Sequence, residues 1–281
     1  MTNMESDPGT LIHQRFGLDL PLDMPAEMGA RLGPWLGRSV CREYRSEPVS
    51  GELLSALLAC AQSAPSKSDL QQYAIIVVED AAARASIAGW LPSMPWIAEA
   101  PLFLVFCGDI RRNQRICDLR GRSHANNNQD SFLNAAMDAT LAMSAFMQAA
   151  GAAGLGTCPI SHVRNHLPQM RDLLALPPGV FPVAGLCAGV PARREPLSMR
   201  LPPSLVVHRD RYDDAGLEAD LAAYDARRHA AQPIPPEKQK NAHHYGTAEM
   251  CTWSDQVSRQ LSLPERENLR EFLRGHGFDL E

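Results

Sequence analysis

Apolar positions along this chain return every three or four residues in nine stretches, which predicts helices over 25–36, 51–62, 81–90, 110–117, 132–150, 164–174, 217–229, 254–261 and 265–274. Four short β-branched or apolar runs that end in turns predict strands over 74–78, 102–107, 157–160 and 183–188. Helices and strands in this order predict an α+β domain over 25–281, with an excursion and C-terminal helices around 210–281. Residues 1–24 read as a polar N-terminal extension. The longest apolar stretch, 132–153, carries Asn134, Asp138, Thr140, Ser144 and Gln148. It therefore falls short of the roughly 18–20 uninterrupted apolar residues that span a bilayer. Alanines with Met137, Met143, Phe146 and Met147 let this helix be buried on nearly all sides, in a core or at a subunit interface. The one compositional break, QPIPPEKQKNAHHY at 232–245, reads as an exposed connection.

Composition narrows the function. A chain of 281 residues with 45% hydrophobic and 21% charged residues buries a full core. Its net charge of −5 gives no electrostatic support for nucleic-acid or anionic-membrane binding. Seven cysteines, Cys41, Cys60, Cys107, Cys117, Cys158, Cys187 and Cys251, lack CxxC spacing and read as reduced thiols of a cytoplasmic protein, with no disulfide frame and no metal site. The start MTNMESDPGTLIHQRF lacks a basic region followed by an apolar core, so nothing in it directs secretion.

Three segments carry candidate chemistry. GAAGLGTCPISHVR at 151–164 places glycines at 151, 154 and 156, where backbone can approach a ligand closely; an ordinary helix cap is the plain alternative. Arg38, Ser39 and Arg42 offer two guanidinium forks and a hydroxyl to an anion, or form a solvated turn. Ser66, Asp69 and Gln71 supply donors and acceptors that can read a ring edge or a polyol, or make a plain Ser/Asp loop.

In this order, and together with 173–177, 185–191, 200–208 and 252–255, these segments resemble the FMN-dependent nitroreductase family, in its NADPH-preferring nitroreductase and flavin reductase branch. The resemblance implies a central mixed or antiparallel sheet flanked by helices in an intertwined homodimer. It implies FMN as cofactor, NADPH or NADH as electron donor and a small electron-poor molecule as acceptor. No side chain need be catalytic, because the flavin carries the hydride. Position by position, it puts Arg38, Ser39 and Arg42 at the phosphate and ribityl end, with Arg200 anchoring from the opposite side. Ser66 and Gln71 would bind the ribityl chain and pyrimidine edge, beside Asp69, where many members have asparagine. Met94, Pro95 and Trp96 would lie along the pyrimidine side, and the backbone from Pro159 through Ser161 to His162 would face N5 and O4.

The chain departs from that pattern at several points. Val40 lacks an expected hydroxyl, Ser198 replaces a lysine, and Ser161-His162 replaces Gly-Gly. Arg111, Arg112, Arg115, Arg120 and Arg122 could bind the 2′-phosphate of NADPH or form a solvated mobile lid. His243-His244 is a weak metal candidate without completing ligands. Three readings follow: an FMN-dependent NAD(P)H oxidoreductase for nitroaromatics and quinones, a flavin reductase serving a partner monooxygenase, and a non-catalytic flavin-fold binding protein.

Overall fold

In the computed structural model, which describes residues 7–20 and 25–281, four strands form one sheet: β1 (Tyr73–Val77), β2 (Leu102–Asp109), β3 (Gly156–Ile160) and β4 (Val180–Gly189). Their order is β1-β2-β4-β3 and every pair is antiparallel. The helices in chain order are α1 (Pro8–Phe16), α2 (Ala26–Leu36), α3 (Gly51–Gln62), α4 (Ala81–Trp90), α5 (Trp96–Glu99) and α6 (Arg111–Leu119). They continue with α7 (Gln129–Ala152), α8 (Leu167–Leu173), α9 (Leu217–Ala231), α10 (Ala242–Tyr245), α11 (Trp253–Leu261) and α12 (Leu269–Gly275).

The chain divides into two compact units. One joins the described residues up to Arg38 with Pro196–Glu265, and the other joins Ser39–Glu195 with Arg266–Glu281. The sheet belongs to the second unit. Every residue of β2 is buried, as a strand covered on both faces requires. Its alternation assigns Leu102, Leu104 and Phe106 to a layer with Leu57 and Ala61 of α3 and Ala139, Ala142, Phe146 and Ala150 of α7. Phe103, Val105 and Cys107 enter the opposite layer with Ile87, Ile97, Val163 and Met170. A third cluster of Ile110, Ala135, Phe181, Leu273, Phe278 and Leu280 fastens the C-terminal segment to the end of the sheet.

Local chemistry explains where elements start and stop. The Ser50 hydroxyl accepts from the Leu53 amide at the start of α3, and Asp80 accepts from Ala82 and Ala83 at the start of α4. Asn128 caps α7, and Thr252 with Asp255 makes a capping box on α11. The α+β reading holds. Three expected boundaries move for definite reasons. β4 begins at Val180, because a register irregularity between Phe106 and Cys107 accommodates Pro182, which has no amide to donate. The helix expected over 164–174 begins at Leu167, after the 3₁₀ turn Ser161–His166, since Pro168 is tolerated only in a first helical turn. The helix expected from 265 begins at Leu269, because Arg266 sits at φ 57°.

A helix also forms within 1–24, where the sequence reading placed no element. Asp7 accepts from the Thr10 amide, Pro8 opens α1, and Gly17 closes it at φ 66°. Leu11 and Ile12 are buried. The connection at 232–245 is likewise structured: the buried Gln239 amide donates to the Ala248 carbonyl at 2.7 Å and accepts from its amide at 2.9 Å. All seven cysteines are free, and burial pushes the Cys107 thiol up to about 12. Among the described residues no helix is long and apolar enough to cross a membrane.

His276 is buried beside Phe272, their ring centroids 5.2 Å apart. Burial, and then the Arg171 charge, hold its pKa below the ordinary histidine value, against opposing hydrogen bonds to the backbone at Val180 and Pro177. A histidine depressed in the folded state binds more protons when unfolded, so its contribution is complete above pH about 6.5 and is lost as pH falls below that value. His276→Phe should therefore show a weaker fall in Tm than the wild type between pH 7.5 and 5.5. Parallel melting curves for the two proteins would disprove this.

Candidate functional site

The expected site residues are gathered in four groups, three of them in the unit that holds the sheet. In the first, residues 39–45 thread beside β3. The Cys41 amide donates to the Thr157 carbonyl at 2.9 Å, Val40 bridges Thr157, and the Arg45 amide donates to the Val190 carbonyl at 2.8 Å. The Tyr44 hydroxyl closes the turn by donating to the Cys41 carbonyl at 2.6 Å. Ser39 is half-buried, and the Arg42 guanidinium lies 5.4 Å from the ring centroid of Trp96. Met94 and Trp96 pack with Tyr44 on the same core layer, and the Trp96 indole Nε1 is buried without an acceptor from the protein.

The glycine reading resolves into two separate needs. Gly154 takes φ +80° at the turn out of α7, whereas Gly156 is required by close approach. A Cβ there would lie 2.5 Å from the Cys41 Cβ and 2.6 Å from its Sγ. Gly151 lies inside α7 with open space around it, so neither need applies to it.

The second group is the loop of Ser66, Asp69 and Gln71. Its backbone is unusual: Ser68, Asp69 and Gln71 have φ 51°, 56° and 51°. The Ser66 hydroxyl accepts from the Gln71 amide at 3.2 Å, and the Gln71 side chain donates to Asp69 at 3.1 Å. Two residues that sequence reasoning did not connect with this loop hold its shape. The Asp138 carboxylate on α7, 1% exposed, accepts from the Lys67 amide at 3.0 Å and the Gln72 amide at 2.9 Å. Arg112 donates to the carbonyls of Gln71 at 2.9 Å and Tyr73 at 3.1 Å while pairing with Asp109 at 3.0 Å. Arg112 thus fastens the loop to α6 instead of belonging to a free basic lid.

The third group lies where β3 ends. Pro159 is exposed, and Ser161 and His162 are half-buried in the 3₁₀ turn. Arg266 from the C-terminal segment donates to Asn165 at 2.9 Å and to the Ser161 hydroxyl at 3.4 Å. Arg164 donates to the Val183 carbonyl, and burial, followed by the Arg266 charge, lowers its pKa.

The fourth group belongs to the other unit. Arg38 and Arg200 both act electrostatically on Arg15, in the last turn of α1. The Arg200 amide donates to the Arg15 carbonyl at 2.7 Å, and the Arg15 guanidinium donates to the Arg38 carbonyl at 2.6 Å. Arg15 was not foreseen, because its helix was not. Asp138 had a legible signal: a lone carboxylate in an alanine-rich helix must find donors once buried. Arg266 had none, since only the fold brings it beside Ser161. Among the described residues no group of three His, Cys, Asp or Glu side chains could hold a metal ion, His243-His244 included.

The model of the Nitroreductase family matches residues 36–190, and that of the Nitroreductase family, C-terminal domain, matches 198–281. A curated relative, FMN reductase [NAD(P)H] of Bacillus subtilis, is 34% identical over 85% of this chain and 94% of its own length. The oxygen-insensitive NADPH nitroreductase of Salmonella typhimurium is 32% identical over 84% of this chain and 93% of its own. Among solved structures, B. megaterium NfrA2 superposes with a TM-score of 0.80 at 32% identity, covering 88% of this chain and 97% of its own.

Asp138→Ala should detach the 66–72 loop and destabilise the protein by about 3–6 kcal/mol, the range for two hydrogen bonds to a charged group. Asp138→Asn, with one acceptor left, should fall between the two. Urea denaturation that ranks Asn at or below Ala would contradict the role given to Asp138.

Proposed function

We propose that this chain, which belongs to the nitroreductase family and is an FMN-dependent NAD(P)H oxidoreductase, works as a homodimer that draws on NADPH and reduces small electron-poor acceptors such as nitroaromatics and quinones. The observation that carries the site assignment is that Arg15 hydrogen-bonds the backbone of both Arg38 and Arg200. They are far apart in sequence, yet both act on Arg15 within one unit. Guanidiniums drawn together in this way suit a phosphate monoester, which accepts paired N–H donors and neutralises the crowding. The donor set also fits the rest of the cofactor. Trp96 offers an indole N–H that lacks an acceptor, and the positive-φ loop holding Ser66, Asp69 and Gln71 carries hydroxyl, carboxylate and amide groups suited to a ribityl chain and a pyrimidine edge.

FMN bound here would supply the hydride-transfer chemistry between NAD(P)H and the second substrate. The chain's own residues hold and shape. Arg38, Ser39, Arg42 and Arg200 bind the phosphate end. Ser66, Asp69 and Gln71 read the ring edge, with Asp138 and Arg112 keeping their loop in its strained form. Met94 and Trp96 form the flat apolar side. The backbone of Pro159, Ser161 and His162 lies at the reacting edge, and Arg266 braces it through Ser161 and Asn165. The role is enzymatic, so a purely binding role is set aside.

A flavin reductase that releases reduced flavin is a second reading. It is favoured by Val40 and Ser198, positions without a donor or a charge beside the phosphate arginines, and by the B. subtilis relative named FMN reductase. Loss of FMN on dilution together with turnover of free FMN would select it.

Homodimerisation is supported by two unpartnered apolar stripes. Leu133, Met137 and Leu141 repeat at helical spacing on α7, at 53%, 51% and 38% exposure, and Met28, Leu32 and Trp35 do so on α2. A cytoplasmic location is supported by the seven free thiols, several of them neighbours in the core.

Purified protein should show a yellow flavin spectrum that bleaches when NADPH is added without oxygen and returns with a nitroaromatic. A colourless protein that takes up no added FMN would overturn the proposal. Leu133→Asp combined with Met137→Asp should convert the dimer to a monomer in sedimentation velocity and release FMN; an unchanged sedimentation coefficient would place the interface elsewhere.

A further inference from the structure

Helix α1 lies outside both spans matched by the family, 36–190 and 198–281, yet its last turn reaches the phosphate arginines. The Arg15 guanidinium donates to the carbonyls of Ser198 at 2.8 Å, Leu36 at 2.9 Å and Arg38 at 2.6 Å. Its own carbonyl accepts from the Arg200 amide at 2.7 Å. Four bonds therefore tie the end of α2 to the segment 198–200 through a single residue. That segment is braced further: the Met199 carbonyl accepts from Arg228 at 2.6 Å, and its amide donates to Gln232 at 3.1 Å.

All three acceptors of the guanidinium are neutral carbonyls, so these bonds leave its positive charge uncancelled. Burial lowers the Arg15 pKa, and the charges of Arg200 and then Arg38 lower it further. Three like charges gathered around partly buried backbone are unfavourable alone and become favourable around an anion. Ser39 and Ser198, which flank Arg38 and Arg200 in sequence, bring no charge. The N-terminal helix brings one.

We propose that Arg15 is a further cation of the FMN phosphate site, a positioning residue that sets the backbone of Arg38 and Arg200 and adds its charge to theirs. This rests on the cofactor reading above. It gives α1 a role in cofactor affinity, and it makes that role specific to the phosphate, since nothing in the arrangement involves the flavin ring.

The test compares FMN with riboflavin, which has the ring and ribityl chain but no phosphate. Both are titrated by flavin fluorescence into the flavin-free full chain, as wild type, Arg15→Gln and Arg15→Lys, with folding checked by circular dichroism. Arg15→Gln should weaken FMN about tenfold or more, as loss of a charge-assisted partner does, while leaving riboflavin unchanged. Arg15→Lys, which keeps the charge without the fork, should recover part of the loss. Inorganic phosphate should raise the Tm of the wild type more than that of Arg15→Gln. Equal loss of FMN and riboflavin would reduce Arg15 to a general brace, and unchanged FMN affinity in Arg15→Gln would overturn the inference while the cofactor reading stood. A wild type that binds no FMN would overturn both.

Discussion

The pairing of β2 with β4, buried on both faces, is the constraint on which the rest of the sheet-bearing unit depends. Both strands are almost wholly buried, so most of their backbone groups find partners in each other and in the strands beside them. Removing either strand would leave two helical layers with no common wall. The layer of α3 and α7 and the layer of α4, α5 and α8 are held at fixed separation by side chains that alternate along the same strands. The site loops inherit their positions from this: β3 enters the sheet only through β4, and residues 39–45 are held by β3 and by the turn after β4.

Charge sets a second constraint, used differently in the two units. At the loop of Ser66 to Gln71, one buried carboxylate spends both oxygens on backbone amides, and three residues at positive φ stay in a conformation that an isolated chain would abandon. In the other unit, three carbonyl oxygens hold the Arg15 guanidinium in place. Arg266 is another cation held by polar partners, beside the turn at Ser161.

Much of this was legible in the residues. The apolar runs of the strands, the starts of α3 and α4, and the long alanine-rich helix all appear where the chain pattern puts them, because local hydrogen bonding and burial period act over a few residues. Helix α1 was legible too, through Asp7, Pro8 and Gly17, but its low hydrophobicity concealed a pair of buried residues, Leu11 and Ile12. Family resemblance supplied the candidate site residues, and it had nothing to say of Arg15, which lies before the matched spans.

By itself, then, the sequence determined the element order, the α+β class, the apolar cores and the chemistry available at each loop, since these follow from residue type and near neighbours. Tertiary structure alone decided which distant groups meet: Arg15 with Arg38 and Arg200, Asp138 with Lys67 and Gln72, Arg266 with Ser161, and Gly156 with Cys41. Such contacts are fixed by strand register and helix packing over tens to hundreds of residues, and no local pattern encodes a distance between segments that only the folded sheet and its helices bring together.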